Sequence, residues 1–246
     1  MTKQPWAAWH ARASALYRHQ PNLLLEKHLR LLQFQADLAV QVQPGPGETL
    51  FQRLQSASFA TVLCIAVDLA RKLGLQAEHC AGHDSLWEYL FSGGQTTEYP
   101  RDYIPRLVLQ VFATESRFIG QRTMETQASC CPHCGFPALL LALRPEGDGR
   151  KRFAVCSLCA AEWPATRIDC FFCGEQRPEQ LPLFSFEHVQ HIHVQCCNTC
   201  QGFLKVVDIA SSGLAVPMVD DIATPEVTLW ALDQGYRTVT SNLLGI

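Results

Sequence analysis

The sequence lacks long apolar runs, and this absence bears on whether the protein is inserted into a membrane or exported. No stretch of the 246 residues approaches the roughly eighteen consecutive apolar residues that a membrane-spanning helix requires. The first residues also lack the apolar core of about seven residues and the small-residue cleavage site that are typical of a signal peptide. We therefore expect a cytoplasmic protein without a membrane span.

The motifs of common enzyme classes are absent as well. The chain has no G-x-S-x-G nucleophile motif, no phosphate-binding P-loop, no dinucleotide-binding glycine pattern and no H-E-x-x-H zinc-protease motif. With none of these motifs to supply a nucleophile, a phosphate cradle or a catalytic zinc, we expect that the protein is not an enzyme.

Basic charge is scarce in the second half of the chain. Residues 126–246 carry 8 Lys and Arg against 12 Asp and Glu, a net charge of −4, whereas residues 1–125 carry 12 against 11. Nucleic acids attract surfaces rich in Lys and Arg because their phosphates are negatively charged. The charge balance therefore predicts no nucleic-acid partner.

The first half of the chain has the apolar spacing of helices. From Pro21, leucines recur every three or four residues until the Pro- and Gly-rich segment at 43–48 ends the pattern. A second helix is predicted from about residue 50 or 56 to Leu73, a short one from Ser85, and another after Asp102. Residues 1–125 are thus predicted to form a helical bundle of four or more helices.

The second half changes to short β-prone segments at 152–155, 181–186, 192–195 and 203–207. A single late helix is predicted at 225–234, because Thr224, Pro225 and Glu226 form a helix start. The predicted class is α+β: a helical domain at 1–125, then a domain at 126–246. The second domain is expected to hold two tandem rubredoxin-like or zinc-ribbon modules, at about 130–166 and 167–210, and the C-terminal helix.

Twelve cysteines are present, and eight of them form four C-x2-C pairs within residues 131–200. Two thiolates at this spacing bind one tetrahedral metal ion, and a second pair about twenty residues later completes the shell. A reducing compartment favours metal ligation over structural disulfides. The pairs therefore predict two metal sites that mainly stabilise small β modules, with thiol–disulfide exchange by one pair as the lesser alternative.

The residue after each pair indicates how the pairs combine. Glycine directly follows the first and third pairs but not the second and fourth, which suggests a tandem duplication. Sequential pairing gives site 1 (Cys131, Cys134, Cys156, Cys159) and site 2 (Cys170, Cys173, Cys197, Cys200). Interleaved pairing, as in cross-brace modules, stays open. Either zinc or iron suits an all-cysteine tetrahedral shell, and spacing does not choose between them.

Other cysteines and histidines lie close to these pairs in sequence. Cys130 and Cys196 each precede a predicted ligand, and we expect both to be spectators because neighbouring side chains point in different directions. His191 and His193 alternate on one predicted strand face near Cys197, where we expect them to be supporting or surface residues.

Two charged segments also stand out. The basic run at 150–152 is interpreted as a solvated turn. Asp220 and Asp221 lie just before the predicted last helix, and two interpretations are open. The carboxylates either serve helix and turn chemistry or form a contact surface for a partner.

Four segments taken together resemble the formate dehydrogenase accessory protein family, FdhE. They are CPHCGFPA at 131, RFAVCSLCAAEWPATRIDCFFCGE at 152, CNTCQGFLKVVD at 197 and VDDIATPEVTLWALDQGY at 219. The resemblance covers about residues 130–240. It implies a cytoplasmic, chaperone-like factor that binds the catalytic subunit of a respiratory formate dehydrogenase and supports its maturation before export. It also implies rubredoxin-like iron at the cysteine pairs, so iron is favoured over zinc.

Two other functions compete with this one. A rubredoxin-like electron-transfer protein would use the same cysteines to hold redox-active iron. A nucleic-acid-binding zinc ribbon would need exposed Lys and Arg beside the cysteine pairs, which the negative charge of this half disfavours.

Overall fold

The structure, a computed structural model, describes residues 5–42, 65–66, 68–69, 71–72, 103–116, 129–166 and 168–245. Helices form the described part of the first half, and a sheet followed by helices forms the second. The predicted α+β class is therefore confirmed. Among the described residues, no helix has both the length and the apolar character needed to cross a membrane.

Three helices are described in the first half: α1 (Trp6–His19), α2 (Leu23–Ala39) and α3 (Tyr103–Ser116). Asn22 caps α2 by accepting a hydrogen bond from the Leu25 amide at 2.8 Å, which satisfies one of the free donors at the helix start. Helix α1 was not predicted from the sequence. The described parts of residues 65–72 are helical, whereas the helix expected from Ser85 lies outside the described residues.

Seven strands form one sheet in the described second half. They are β1 (Ala138–Glu146), β2 (Gly149–Cys156), β3 (Glu162–Pro164), β4 (Leu183–Ser185), β5 (Ile192–Cys196), β6 (Gly202–Asp208) and β7 (Arg237–Thr238). The order is β3-β2-β1-β6-β5-β4, and β7 pairs with β6. The four predicted β segments fall on β2, β4, β5 and β6, whereas β1, β3 and β7 were not predicted.

The strand order shows a structural repeat. The first module supplies β3-β2-β1 and the second supplies β6-β5-β4, so each contributes three neighbouring strands in the same internal order. The strands within each module pair antiparallel. The modules join where β1 and β6 run parallel, with Leu141 opposite Val206. The two modules therefore share one sheet, and the predicted bounds of domains and modules stay predictions.

Two helices, not one, lie between β6 and β7. They are α4 (Pro217–Ala223) and α5 (Pro225–Asp233), separated only by Thr224. The helix predicted at 225–234 is confirmed as α5. The expectation that it is the single late helix was wrong, because Pro217 begins a second helix, α4, directly before it. The buried Lys205 of β6 donates to the carbonyl oxygens of Asp221 and Thr224 at 2.8 and 2.9 Å, which anchors the end of α4 to the sheet.

Candidate metal centres

All four cysteine pairs lie on the same type of turn, which we call a knuckle. In each knuckle, the amide of the first cysteine donates to the carbonyl oxygen five residues later, at 2.7 to 2.9 Å. These bonds close a tight loop that brings both thiols of the pair to one side. They join Cys131 to Phe136, Cys156 to Ala161, Cys170 to Glu175 and Cys197 to Gly202.

The residue after the second cysteine has positive φ in every knuckle. It is Gly135 (79°) and Gly174 (73°) in the first and third pairs, but Ala160 (52°) and Gln201 (58°) in the others. Glycine adopts this conformation freely, whereas other L residues do so at a cost. Glycine thus alternates with other residues at this position of the sequence, but the turn geometry is the same in all four knuckles.

The sulfur atoms form two groups of four, in the same combinations as sequential pairing predicts. Within each group, all sulfur atoms lie within 4.8 Å of one another. The shortest separations are 3.4 to 3.6 Å in site 1 and 3.7 Å in site 2. A tetrahedral ion with metal–sulfur bonds of about 2.3 Å places its sulfurs about 3.8 Å apart. Both groups therefore fit a four-coordinate metal ion, zinc or iron.

Backbone amides support negative charge at the sulfurs. The amide of His133 lies 3.4 Å from the Cys131 sulfur, and those of Leu158 and Cys159 lie 3.4 Å from the Cys156 sulfur. Such N–H donors stabilise thiolates. Burial and neighbouring thiols nevertheless raise the pKa of Cys156 well above its usual value. Four thiolates so close together need a cation to compensate their charge, which a divalent metal supplies.

The two sites differ in exposure. In site 1, three of the four cysteines are buried and Cys134 is half-buried. In site 2, Cys170 and Cys197 are buried, Cys200 is half-buried and Cys173 is exposed. Solvent therefore reaches site 2 more easily than site 1.

The neighbouring cysteines and histidines lie outside both groups of four. Cys196 is buried in β5, where burial raises the pKa of its thiol to about 12 and leaves it protonated. The His193 ring nitrogen Nδ1 lies 2.9 Å from the Ser185 hydroxyl, and His191 Nε2 lies 2.8 Å from an Asp220 carboxylate oxygen. Both histidines therefore contact side chains of this chain that do not belong to either group of four cysteines.

Asp220 and Asp221 are both buried in α4. Asp220 binds Arg12 of α1 through two hydrogen bonds of 2.5 and 3.0 Å. Asp221 lies 3.2 Å from the Lys205 ammonium and accepts a 2.7 Å hydrogen bond from Asn242. The burial of both carboxylates disagrees with one of the two interpretations from the sequence, a contact surface for a partner. Both carboxylates hold elements of this chain together.

The basic run at 150–152 lies in β2 and not in a solvated turn. Arg150 pairs with Asp208 at 3.1 Å, and Lys151 pairs with Glu146 at 3.0 Å. Arg152 is buried. The interpretation as a solvated turn was wrong, because the three residues belong to the first half of β2 and the strand becomes largely buried from Arg152 onward.

Comparisons with known proteins show what these centres resemble. Residues 130–167 match the model of the FdhE central domain. An FdhE homolog of Aquifex aeolicus is 32% identical over 139 residues, which are 56% of this chain and 48% of that protein. An FdhE homolog of Stutzerimonas stutzeri is 30% identical over 67% of this chain and 55% of its own length. The chain thus spans about half the length of these curated relatives.

The fold agrees with these matches. The crystal structure of the FdhE protein from Pseudomonas aeruginosa superposes with a TM-score of 0.75 over 99% of this chain and 96% of that chain, at 21% identity. The family resemblance inferred from the cysteine segments is therefore confirmed. The chain is thus similar to the FdhE proteins: its fold matches that of the Pseudomonas protein, and residues 130–167 match the FdhE central domain.

Proposed function

We propose that the protein is an accessory factor that binds the catalytic subunit of a respiratory formate dehydrogenase in the cytoplasm and supports its assembly before export. One observation carries the proposal: the FdhE central domain at 130–167 coincides with the segment that holds all four cysteines of site 1. The role itself comes from the family resemblance.

In this proposal the eight cysteines of sites 1 and 2 bind two metal ions. The ions would cross-link the knuckles to the shared sheet, because metal binding and folding are one equilibrium in small β modules. Zinc would supply a structural cross-link, and iron would supply the same cross-link together with a one-electron couple. The family resemblance favours iron. The protein would then act by binding its client and not by catalysis.

A capture experiment tests the proposal. The tagged full chain is expected to retain the catalytic subunit of formate dehydrogenase from an extract of formate-respiring cells. The variant with Cys156→Ser and Cys159→Ser, which removes half of site 1, should lose the subunit. Cys130→Ser is the matched control, since this cysteine lies beside a knuckle but outside both sulfur groups.

A deletion strain gives the opposing test. Formate dehydrogenase activity should fall when the gene is removed and should return with the unaltered chain but not with the Cys156 and Cys159 variant. Full activity in the deletion strain would refute the accessory role.

Electron transfer is a second candidate, and the exposure of Cys173 in site 2 favours it. A solvent-accessible ligand would shorten the path from bound iron to a redox partner. The iron-loaded protein should then show a visible thiolate-to-iron absorption band and a reversible one-electron couple. A colourless zinc protein purified without oxygen would exclude this function.

A further inference from the structure

The buried side chain of Arg152 crosses from the first module into the second. Arg152 lies in β2, and its side chain is only 9% exposed. Its guanidinium donates to the carbonyl oxygen of Thr166 at 3.0 Å and to Oε1 of Gln195 at 2.8 Å. It also lies 3.7 Å from the Asp169 carboxylate. One cation of module 1 therefore contacts both the segment that leads into module 2 and the strand β5.

These contacts lie just before both knuckles of site 2. Asp169 immediately precedes Cys170, and Gln195 lies two residues before Cys197. Gln195 also donates to the carbonyl oxygen of Asp169 at 3.1 Å, so the segments that precede the two knuckles are tied directly to each other. Arg152 and Gln195 thus fix the distance between the two halves of site 2.

Charge adds to this positional effect. Four thiolates around a divalent ion carry a net charge of −2, which a nearby guanidinium offsets. Burial lowers the pKa of Arg152 in spite of the opposing effects of Asp169 and Cys170, but a guanidinium in a protein keeps its proton. The positive charge is therefore present beside site 2.

The corresponding position of β5 holds a side chain that bonds within its own module. Arg152 lies four residues before Cys156, and the residue four before Cys197 is His193. The His193 ring bonds to Ser185, which belongs to the same module. At this strand position, Arg152 of module 1 thus hydrogen-bonds to module 2, whereas His193 of module 2 hydrogen-bonds within module 2.

We infer that Arg152 is a positioning residue for site 2, so that metal retention by the second module depends on a side chain of the first. The inference rests on the proposed binding of metal at both sites. The change Arg152→Met should loosen site 2 and leave site 1 as it is.

Zinc release from the zinc-loaded full chain measures this effect. A chromogenic chelator follows the rate, and cysteine alkylation with peptide mass spectrometry identifies which site has opened. Changes in residues that support metal ligands cost about 10- to 100-fold in affinity. We expect Arg152→Met to release zinc from site 2 at least about tenfold faster, with site 1 unchanged.

Three further variants separate positioning from general damage. Lys151→Met removes an exposed cation from the adjacent position in β2 and should change neither site. Arg152→Lys keeps the charge and should recover part of the retention. If Arg152→Met does not fold, Gln195→Met breaks the same tie between the segments before the knuckles and should open site 2 selectively.

If Arg152→Met speeds zinc release equally at both sites, or changes the rate at neither site, the inference is overturned, while the proposed metal binding is unaffected. Failure of the unaltered chain to bind zinc or iron at all would instead overturn the proposed metal centres, and the inference would fall with them.

Discussion

Replacing Asp220 by asparagine should weaken the attachment of the helical half to the metal-binding half. Asp220 lies in α4 with its side chain 2% exposed and receives hydrogen bonds from Arg12 of α1, at 2.5 and 3.0 Å. Its carboxylate also accepts a 2.7 Å hydrogen bond from the Val216 amide and lies 2.8 Å from the His191 ring. Groups from three parts of the chain thus meet at one carboxylate.

The size of the effect follows from burial. Burial raises the pKa of Asp220, but the hydrogen bonds from His191, Arg12 and Val216 outweigh it and lower the pKa below its usual value. The folded protein therefore holds an ionised carboxylate. Breaking a buried ion pair costs about 3–5 kcal/mol, because the remaining charge is left without a partner. Arg12 is 13% exposed, so we expect about 3 kcal/mol.

Urea unfolding, followed by circular dichroism and by the fluorescence of the five tryptophans, measures this loss; Trp6 and Trp9 of α1 are two of the five. The melting temperature should fall by about 10 °C for a chain of this size. Glu226→Gln, an exposed carboxylate at the start of α5, is the control and should change stability by less than about 0.5 kcal/mol. In a double-mutant cycle, Arg12→Met should add little to Asp220→Asn. A loss below about 1 kcal/mol, or simple additivity of the two changes, would refute the reasoning.

Three further predictions concern the histidine of α2, the knuckle glycines and the metals. Burial and the nearby His10 lower the pKa of the buried His28 to about 4 from 6.5, so the unfolded chain binds a proton that the folded chain does not. Unfolding free energy should therefore fall by about 3 kcal/mol as the pH drops from 6.5 to 4, and His28→Leu should remove this dependence in urea titrations. Gly174→Ala should lower the free energy of unfolding by about 1–2 kcal/mol, because φ is positive there. Gly213→Ala is the control and should lower it less, since its surroundings are equally open and its φ is not positive. Equal shifts of the melting temperature in the two variants would contradict this account. Chelation should empty site 2 before site 1 because Cys173 is exposed, which time-resolved alkylation would show; simultaneous loss would contradict it.

The sequence predicts the knuckles well because their geometry is local. A C-x2-C pair and the residue after it determine the turn within six residues, so the four pairs follow from spacing alone. Their sequential combination was favoured by the spacers and the glycine alternation, and the grouping of the sulfur atoms agrees with it. The backbone conformation at Ala160 and Gln201 was less predictable, because neither residue type signals positive φ. The backbone hydrogen bonds from Cys156 to Ala161 and from Cys197 to Gly202 close these two knuckles and hold both residues in this conformation.

The features that the sequence does not predict depend on contacts between distant segments. The parallel pairing of β1 with β6 joins residues more than sixty positions apart, and no local pattern encodes it. Arg152 appears as one of three consecutive basic residues, and only the folded sheet shows that its side chain is buried beside Gln195. Asp220 likewise has the pattern of an exposed acid until the position of Arg12 is known.

Metal analysis of the full chain purified without oxygen tests the central claim most directly. Two zinc or iron ions per chain are expected, and one should remain when Cys131 and Cys134 are both changed to serine, with the four cysteines of site 2 still protected from alkylation. A stoichiometry below two in the unaltered chain, or retention of both ions in this variant, would contradict two separate four-cysteine centres.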